Sequence, residues 1–97
     1  MAEIKQEVNE KGHQSFNIYE DDVEMGEMTF GIKGNEMTVY HTLVMPEARG
    51  LGFAKQLLEH LVGYAREHGL MVVAKCPYVR KEFGEDEGKY GDVWKKS

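Results

Sequence analysis

The spacing of hydrophobic positions changes period twice along this chain, and the changes divide it into elements. From Ser15 to Tyr19, Phe16 and Ile18 alternate with Ser15 and Asn17, which is the two-residue period of a half-buried strand. The acidic turn Glu20-Asp21-Asp22 ends it. Val23 to Ile32 carries Val23, Met25, Met28, Phe30 and Ile32, and Lys33-Gly34-Asn35 supplies the next turn. A third run, Met37 to Val44, completes an antiparallel meander. Gly26 and Gly31 interrupt the second run, where a glycine marks a bulge or weakens pairing.

At Met45-Pro46 the strand pattern stops, because proline has no backbone donor to offer a sheet. After Gly52 the period becomes helical. Ala54, Leu57, Leu58, Leu61, Val62 and Ala65 share one face, while Lys55, Gln56, Glu59, Arg66 and Glu67 turn away. His68-Gly69 closes the helix: a cation suits the negative end of the helix dipole, and glycine suits the left-handed position that follows. Leu70 to Ala74 reads as a short buried strand. Strand, helix and strand in that order make a βαβ crossover, with parallel strands and the helix on one sheet face. Tyr78 to Phe83 suggests a short helix, Gly84 to Gly88 a loop, and Tyr90 to Trp94 a final turn. The expected fold is α+β, a mixed sheet in which an antiparallel meander precedes a βαβ unit, within one domain over residues 1–97.

Composition narrows the function. With 41% hydrophobic and 30% charged residues the chain is globular, not disordered. A net charge of -5 argues against a nucleic-acid surface, which needs clustered cations. Arg80-Lys81 and Lys95-Lys96 stand among acidic residues and read as solvated surface. The single cysteine, Cys76, excludes an internal disulfide and a cysteine-rich zinc cluster. The segment Met1-Ala2-Glu3-Ile4-Lys5-Gln6 has no signal-peptide character, and no apolar run approaches the roughly 18 residues needed to cross a bilayer. A cytoplasmic protein with no membrane association is expected. His13, His60 and His68 have no spacing with carboxylates or Cys76 that suggests a metal, and none is expected.

Chemistry enters at Arg49-Gly50-Leu51-Gly52. A helix N-terminus offers unpaired N–H groups and partial positive charge, and glycines let an anion approach the main chain. The Gly-Lys-Ser/Thr of a Walker loop and the three-glycine dinucleotide fingerprint are both missing. By itself the loop is consistent with a plain turn or with phosphate binding.

The segment resembles the Gln/Arg-x-x-Gly-x-Gly/Ala signature of the GNAT superfamily of N-acetyltransferases, matched by Arg49, Gly52 and Ala54. More narrowly, residues 13 to 94 are similar to small stand-alone GNAT-like proteins, through His41-Thr42-Leu43-Val44, Pro46, Arg49-Gly50-Leu51-Gly52 and Cys76-Pro77-Tyr78. The resemblance implies a trimmed acetyltransferase fold that binds acetyl-CoA as acyl donor. It implies that Arg49, Gly50, Leu51, Gly52, Phe53 and Ala54 meet the pyrophosphate and that the backbone of Leu43 and Val44 pairs with the pantetheine arm. Members of the subgroup often carry an acid where this chain has Leu43, so no carboxylate base stands there.

Acetyl transfer needs a free amine, a polarised thioester and a proton donor for the thiolate. His41 reads either as acceptor of the amine's proton or as a hydrogen-bonded sheet residue. Cys76, which the resemblance places near the acetyl group, reads as a nucleophile or thiol-side donor, or as a small buried hydrophobe. Tyr78 has the donor role that tyrosine often fills in GNAT enzymes, with core packing as its other reading. Met25, Met28, Met37 and Met45 suit an irregular core, with an acyl pocket as the second reading, and Trp94 a packing anchor. The function expected is acetyl transfer to an unidentified amine by a monomer or weak dimer. A non-catalytic acyl-CoA-binding regulatory or interaction module is the alternative. The acceptor site, lacking the N-terminal helices of larger relatives, is expected to be open or completed by a second subunit.

Overall fold

The structure, a computed structural model, describes residues 2–8 and 13–96, and the statements below concern those residues. A five-stranded sheet runs in the order β1-β2-β3-β4-β5. Strands β1 (Glu3–Val8), β2 (Gln14–Glu20), β3 (Val23–Lys33) and β4 (Glu36–Val44) are antiparallel neighbours, and β5 (Met71–Ala74) lies parallel to β4. The mixed sheet is the one read from the sequence, extended by β1. That strand escaped the hydrophobic pattern because it sits at the sheet edge, where Ile4 packs on the core and Val8 stays exposed. The β2–β3 turn places Asp21 and Asp22 at φ 50° and 66°, left-handed values that aspartate tolerates better than most residues.

The pairing shifts at two places. Between Ile18 and Tyr19 the partner moves from Gly26 to Glu24, so Met25 is the extra residue; between Thr29 and Phe30 it moves from His41 to Val39, so Tyr40 is. The bulges lie beside the two glycines rather than on them. A Cβ on Gly26 would stand 2.7 Å from the Leu43 carbonyl oxygen, and one on Gly31 would touch the Tyr40 ring at 3.4 Å. Gly26 therefore lets β3 and β4 close, and Gly31 gives the bulged tyrosine a floor.

One sheet face carries the core. Phe16, Ile18, Met28, Phe30, Met37, Val39 and Val72 are buried there under α1 (Phe53–Glu67), which contributes Leu57, Leu58, Leu61, Val62 and Ala65. Gly69, at φ 66°, ends α1 as the pattern anticipates. Helix α2 (Pro77–Glu85) buries Val79 and Phe83 beside it. The expected loop over 84–88 is broken by α3 (Glu87–Tyr90), whose Tyr90 ring is buried against Phe83 and whose hydroxyl donates to Glu59. Trp94 also leans on Phe83, and its backbone bridges to Val72 at the outer edge of β5. Of the methionines, Met28 and Met37 fill the core while Met25 and Met45 border it. Among the described residues no helix is long and apolar enough to cross a membrane.

Phe16 sits at 0% exposure in contact with the rings of Phe30, His60 and Tyr64. Phe16→Ala is expected to lower the unfolding free energy by about 3–5 kcal/mol, read by urea denaturation. A loss under about 1 kcal/mol would mean this cluster does not hold the core together.

The opposite sheet face is polar and has no helix among the described residues. Lys5, Glu7, Ser15, Asn17, Tyr19, Glu27, Thr29, His41 and Leu43 lie on it by strand register. Ser15 donates to Asn17, and the Asn17 amide donates to Glu24 and Glu27. Tyr19 donates to Glu7, a bond that pushes its phenol up to about 12.

Candidate functional site

Strands β4 and β5 stay together for only part of their course. Their ladder covers Glu36 to Val39 against Met71 to Ala74, and the Val39 carbonyl then accepts both Lys75 N–H and Cys76 N–H at 3.0 Å. At the next residue, Tyr40, β4 bulges, and its remainder pairs with β3 alone. Met45 N–H donates to Met25 O, so Met45 and, two residues back, Leu43 direct their main chain toward β3. By alternation, the amides and carbonyls of Thr42 and Val44 face the opening. The result is a wedge-shaped gap with an unpaired strand edge on one side.

At the mouth of the wedge a 3-10 turn, Pro46–Ala48, leads through Arg49 to α1. Gly50 and Gly52 adopt φ 83° and 82°, and a Cβ at either would meet no protein atom within 4 Å. Gly52 caps α1 without a side-chain hydrogen bond, and the first turn holds no acidic residue. None of the amides of Gly50, Gly52, Phe53, Ala54 and Lys55 finds a protein acceptor among the described residues. These donors are aligned with the positive end of the helix dipole, an arrangement that suits an anion. They open on a cavity of about 290 Å³ lined by Val44, Arg49, Gly50, Gly52, Phe53 and Ala54, with Ala48, Lys55 and Tyr78 completing the wall. Leu43 and Leu51, also expected at the site, do not line it: their side chains are 50% and 63% exposed.

No side-chain hydrogen bond or ring contact joins the three candidate catalytic residues among the described residues. Cys76 is buried at the N-cap of α2, and its Sγ lies 3.2 Å from Thr42 Oγ1 in a hydrogen bond that either group can donate. Tyr78, in the first turn of α2, is half-buried on the cavity wall; burial, and after it the Glu82 carboxylate, raise its phenol above the ordinary tyrosine value. His41 is exposed on the polar sheet face, paired with Thr29 through the ladder, and its imidazole makes no hydrogen bond among the described residues. Two neighbours escaped the sequence reading. Thr42 faces Cys76 across the gap, and Lys55, paired with Glu82 at 2.9 Å, lines the cavity at the start of α1. Thr42 was discoverable by parity with Val44, whereas the Lys55–Glu82 pair needs the α1–α2 packing.

Residues 15–93 match the model of the GCN5-related N-acetyltransferase family. The chain belongs to this family. A GCN5-like protein from Staphylococcus aureus, solved by NMR, is 32% identical with a TM-score of 0.69, over 98% of this chain and 89% of that one. A ribosomal-protein-alanine N-acetyltransferase from Brucella melitensis shares the fold at a TM-score of 0.71 and 15% identity, over 100% of this chain and 93% of the other. No curated protein gives a significant match. Within this GCN5-related N-acetyltransferase, the wedge between β4 and β5 and the uncapped start of α1 are the two features that a linear thioester donor would need, one for its arm and one for its phosphates.

Proposed function

We propose that the chain transfers an acetyl group from acetyl-CoA to an amine, with the donor lying along the wedge from the start of α1 to Cys76. One observation carries the reading: the uncapped N-terminus of α1 and the unpaired edge of β4 meet at a single cavity. The amides of Gly50, Gly52, Phe53 and Ala54 and the Arg49 guanidinium suit a pyrophosphate, whereas Leu51 N–H is already given to Ala48 O. The main chain of Thr42 and Val44 suits the amides of a pantetheine arm as an added strand would. Leu43, with its main chain committed to β3, offers only its side chain to the open face.

His41 and Tyr78 approach the gap from opposite sheet faces, which separates the two proton transfers. An amine arriving over the polar face attacks the thioester carbon and loses a proton to His41, as its lone pair forms the C–N bond. The C–S bond breaks toward α2, where Tyr78 protonates the sulfur, and Thr42 with Cys76 walls that side. Solvent returns the phenol proton and removes the one on His41. A cytoplasmic setting suits the buried free thiol of Cys76.

Acetyl-CoA titrated into labelled protein is expected to shift amide resonances between residues 43 and 55 and to raise the melting temperature. No shift at millimolar ligand would end this reading. The alternative, a module that binds acyl-CoA without turnover, predicts the same shifts with no CoA thiol released across a panel of polyamines, lysine peptides and small amines.

A further inference from the structure

Arg80-Lys81 and Lys95-Lys96 were expected to be unremarkable solvated surface, but the fold brings part of both groupings together. Arg80, Lys95 and Lys96 converge with Lys75 around a cavity of about 340 Å³ walled by Val73, Ala74 and Trp94. Lys95 and Lys96 are ion-paired with Glu36 and Glu87 at the rim. Lys75 and Arg80 meet no carboxylate among the described residues, and Arg80 Nη2 donates to the Lys75 carbonyl at 3.1 Å, which fixes the two beside each other. In a chain of net charge -5, this is a local concentration of positive charge in a concave site, a setting that attracts an anion.

Its position links it to the wedge. Lys75, which lines the cavity, and Cys76 both donate their N–H to Val39 O where the β4–β5 ladder ends and the gap begins, and Arg80 N–H donates to Cys76 O at 3.0 Å. Val73 pairs with Thr38, so Val73 and Lys75 share the polar sheet face with Tyr40 and His41, across the start of the opening. The other flank of that face is acidic, with Glu24 and Glu27 gathered on Asn17. The face is thus negative toward β2 and β3 and positive beyond β5, with His41 between.

We propose that this cavity is the anion subsite for the acceptor: the amine that reaches His41 carries a carboxylate or phosphate group, which Lys75 and Arg80 hold. The inference rests on the wedge being the acyl-transfer site. A small zwitterionic amine matches both flanks of the face, whereas a polyamine meets like charge at Lys75 and Arg80.

Inorganic phosphate is the first probe. It is expected to shift the amides of Lys75 and Arg80 and the Trp94 indole in the protein without CoA, and the double variant Lys75→Gln/Arg80→Gln should lose those shifts while Arg80→Lys keeps them. Acetyl-CoA shifts at residues 43 to 55 in the double variant show that the donor site is intact. With acetyl-CoA present, thiol release with O-phosphoethanolamine as the phosphate source and glycine as the carboxylate source should exceed that with ethylamine at least tenfold, a preference the double variant erases. Phosphate shifts confined to Gly50 and Gly52, or unchanged in the double variant, would overturn the subsite. Faster release with spermidine than with either anionic amine would overturn the acceptor class. Absence of acetyl-CoA shifts in the unaltered protein would instead strike at the donor reading.

Discussion

Gly52→Val is expected to raise the dissociation constant for acetyl-CoA at least tenfold, a loss of about 1.4 kcal/mol or more. Two effects combine. At φ 82° a β-branched residue is strained, by roughly 1–2 kcal/mol, and the helix start shifts to relieve it. The added side chain also enters the cavity where the unpaired amides point, since no protein atom lies within 4 Å of its Cβ. Gly34→Val separates the two effects, because Gly34 has a similar φ of 61° and equal open space, but sits in the β3–β4 turn. Both variants should lose comparable thermal stability, and only Gly52→Val should lose binding by calorimetry. Equal binding by the two would remove the α1 N-terminus from the site.

Tyr78→Phe should leave acetyl-CoA affinity within about twofold and reduce kcat about 100-fold, the usual scale for a lost general acid. Its pH dependence carries a sign. Burial raises the phenol pKa, with Glu82 adding to the effect, so Tyr78 keeps its proton past the ordinary tyrosine value near 10. The unaltered enzyme should therefore hold its thiol-protonation step through the neutral and mildly alkaline range and lose it only above that value. Cys76→Ser, which preserves the Thr42 contact, should cost less than tenfold. If Cys76→Ser proves the more damaging and Tyr78→Phe is silent, the proton donor is Cys76.

The legible parts of this molecule are those whose signal is local. The 3.6-residue period from Leu57 to Ala65 and the left-handed glycines 52 and 69 locate α1 to within a residue, because a helix with one buried face writes its geometry directly into sequence. The glycine-bearing turn that opens α1 was legible for the same reason. Edge and bulge were not. β1 buries too little for alternation to appear, and the Tyr40 bulge is a relation between β3 and β4 that no single strand encodes. The basic cavity lay hidden because Lys75 and Arg80 flank a strand end and a helix start, while Lys95 and Lys96 arrive from 15 residues and more downstream, by a bridge between Trp94 and Val72. Leu43 was named with Val44 on the family resemblance, which carries no strand parity; the register turns the main chain of Leu43 toward β3 and that of Thr42 and Val44 toward the opening.

The extra residue in β4 has a consequence for how this protein tolerates change. Deleting Tyr40 would leave Val39 and His41 on their present faces and restore an unbroken register with β3, so the strand would run straight and the gap beside β5 would tend to close. No residue of the loop from Arg49 to Gly52 would be altered. The opening between β4 and β5 is thus written partly in a count, not in the identity of any side chain. Lineages of such a chain should accept many substitutions along β4 and very few changes in its length.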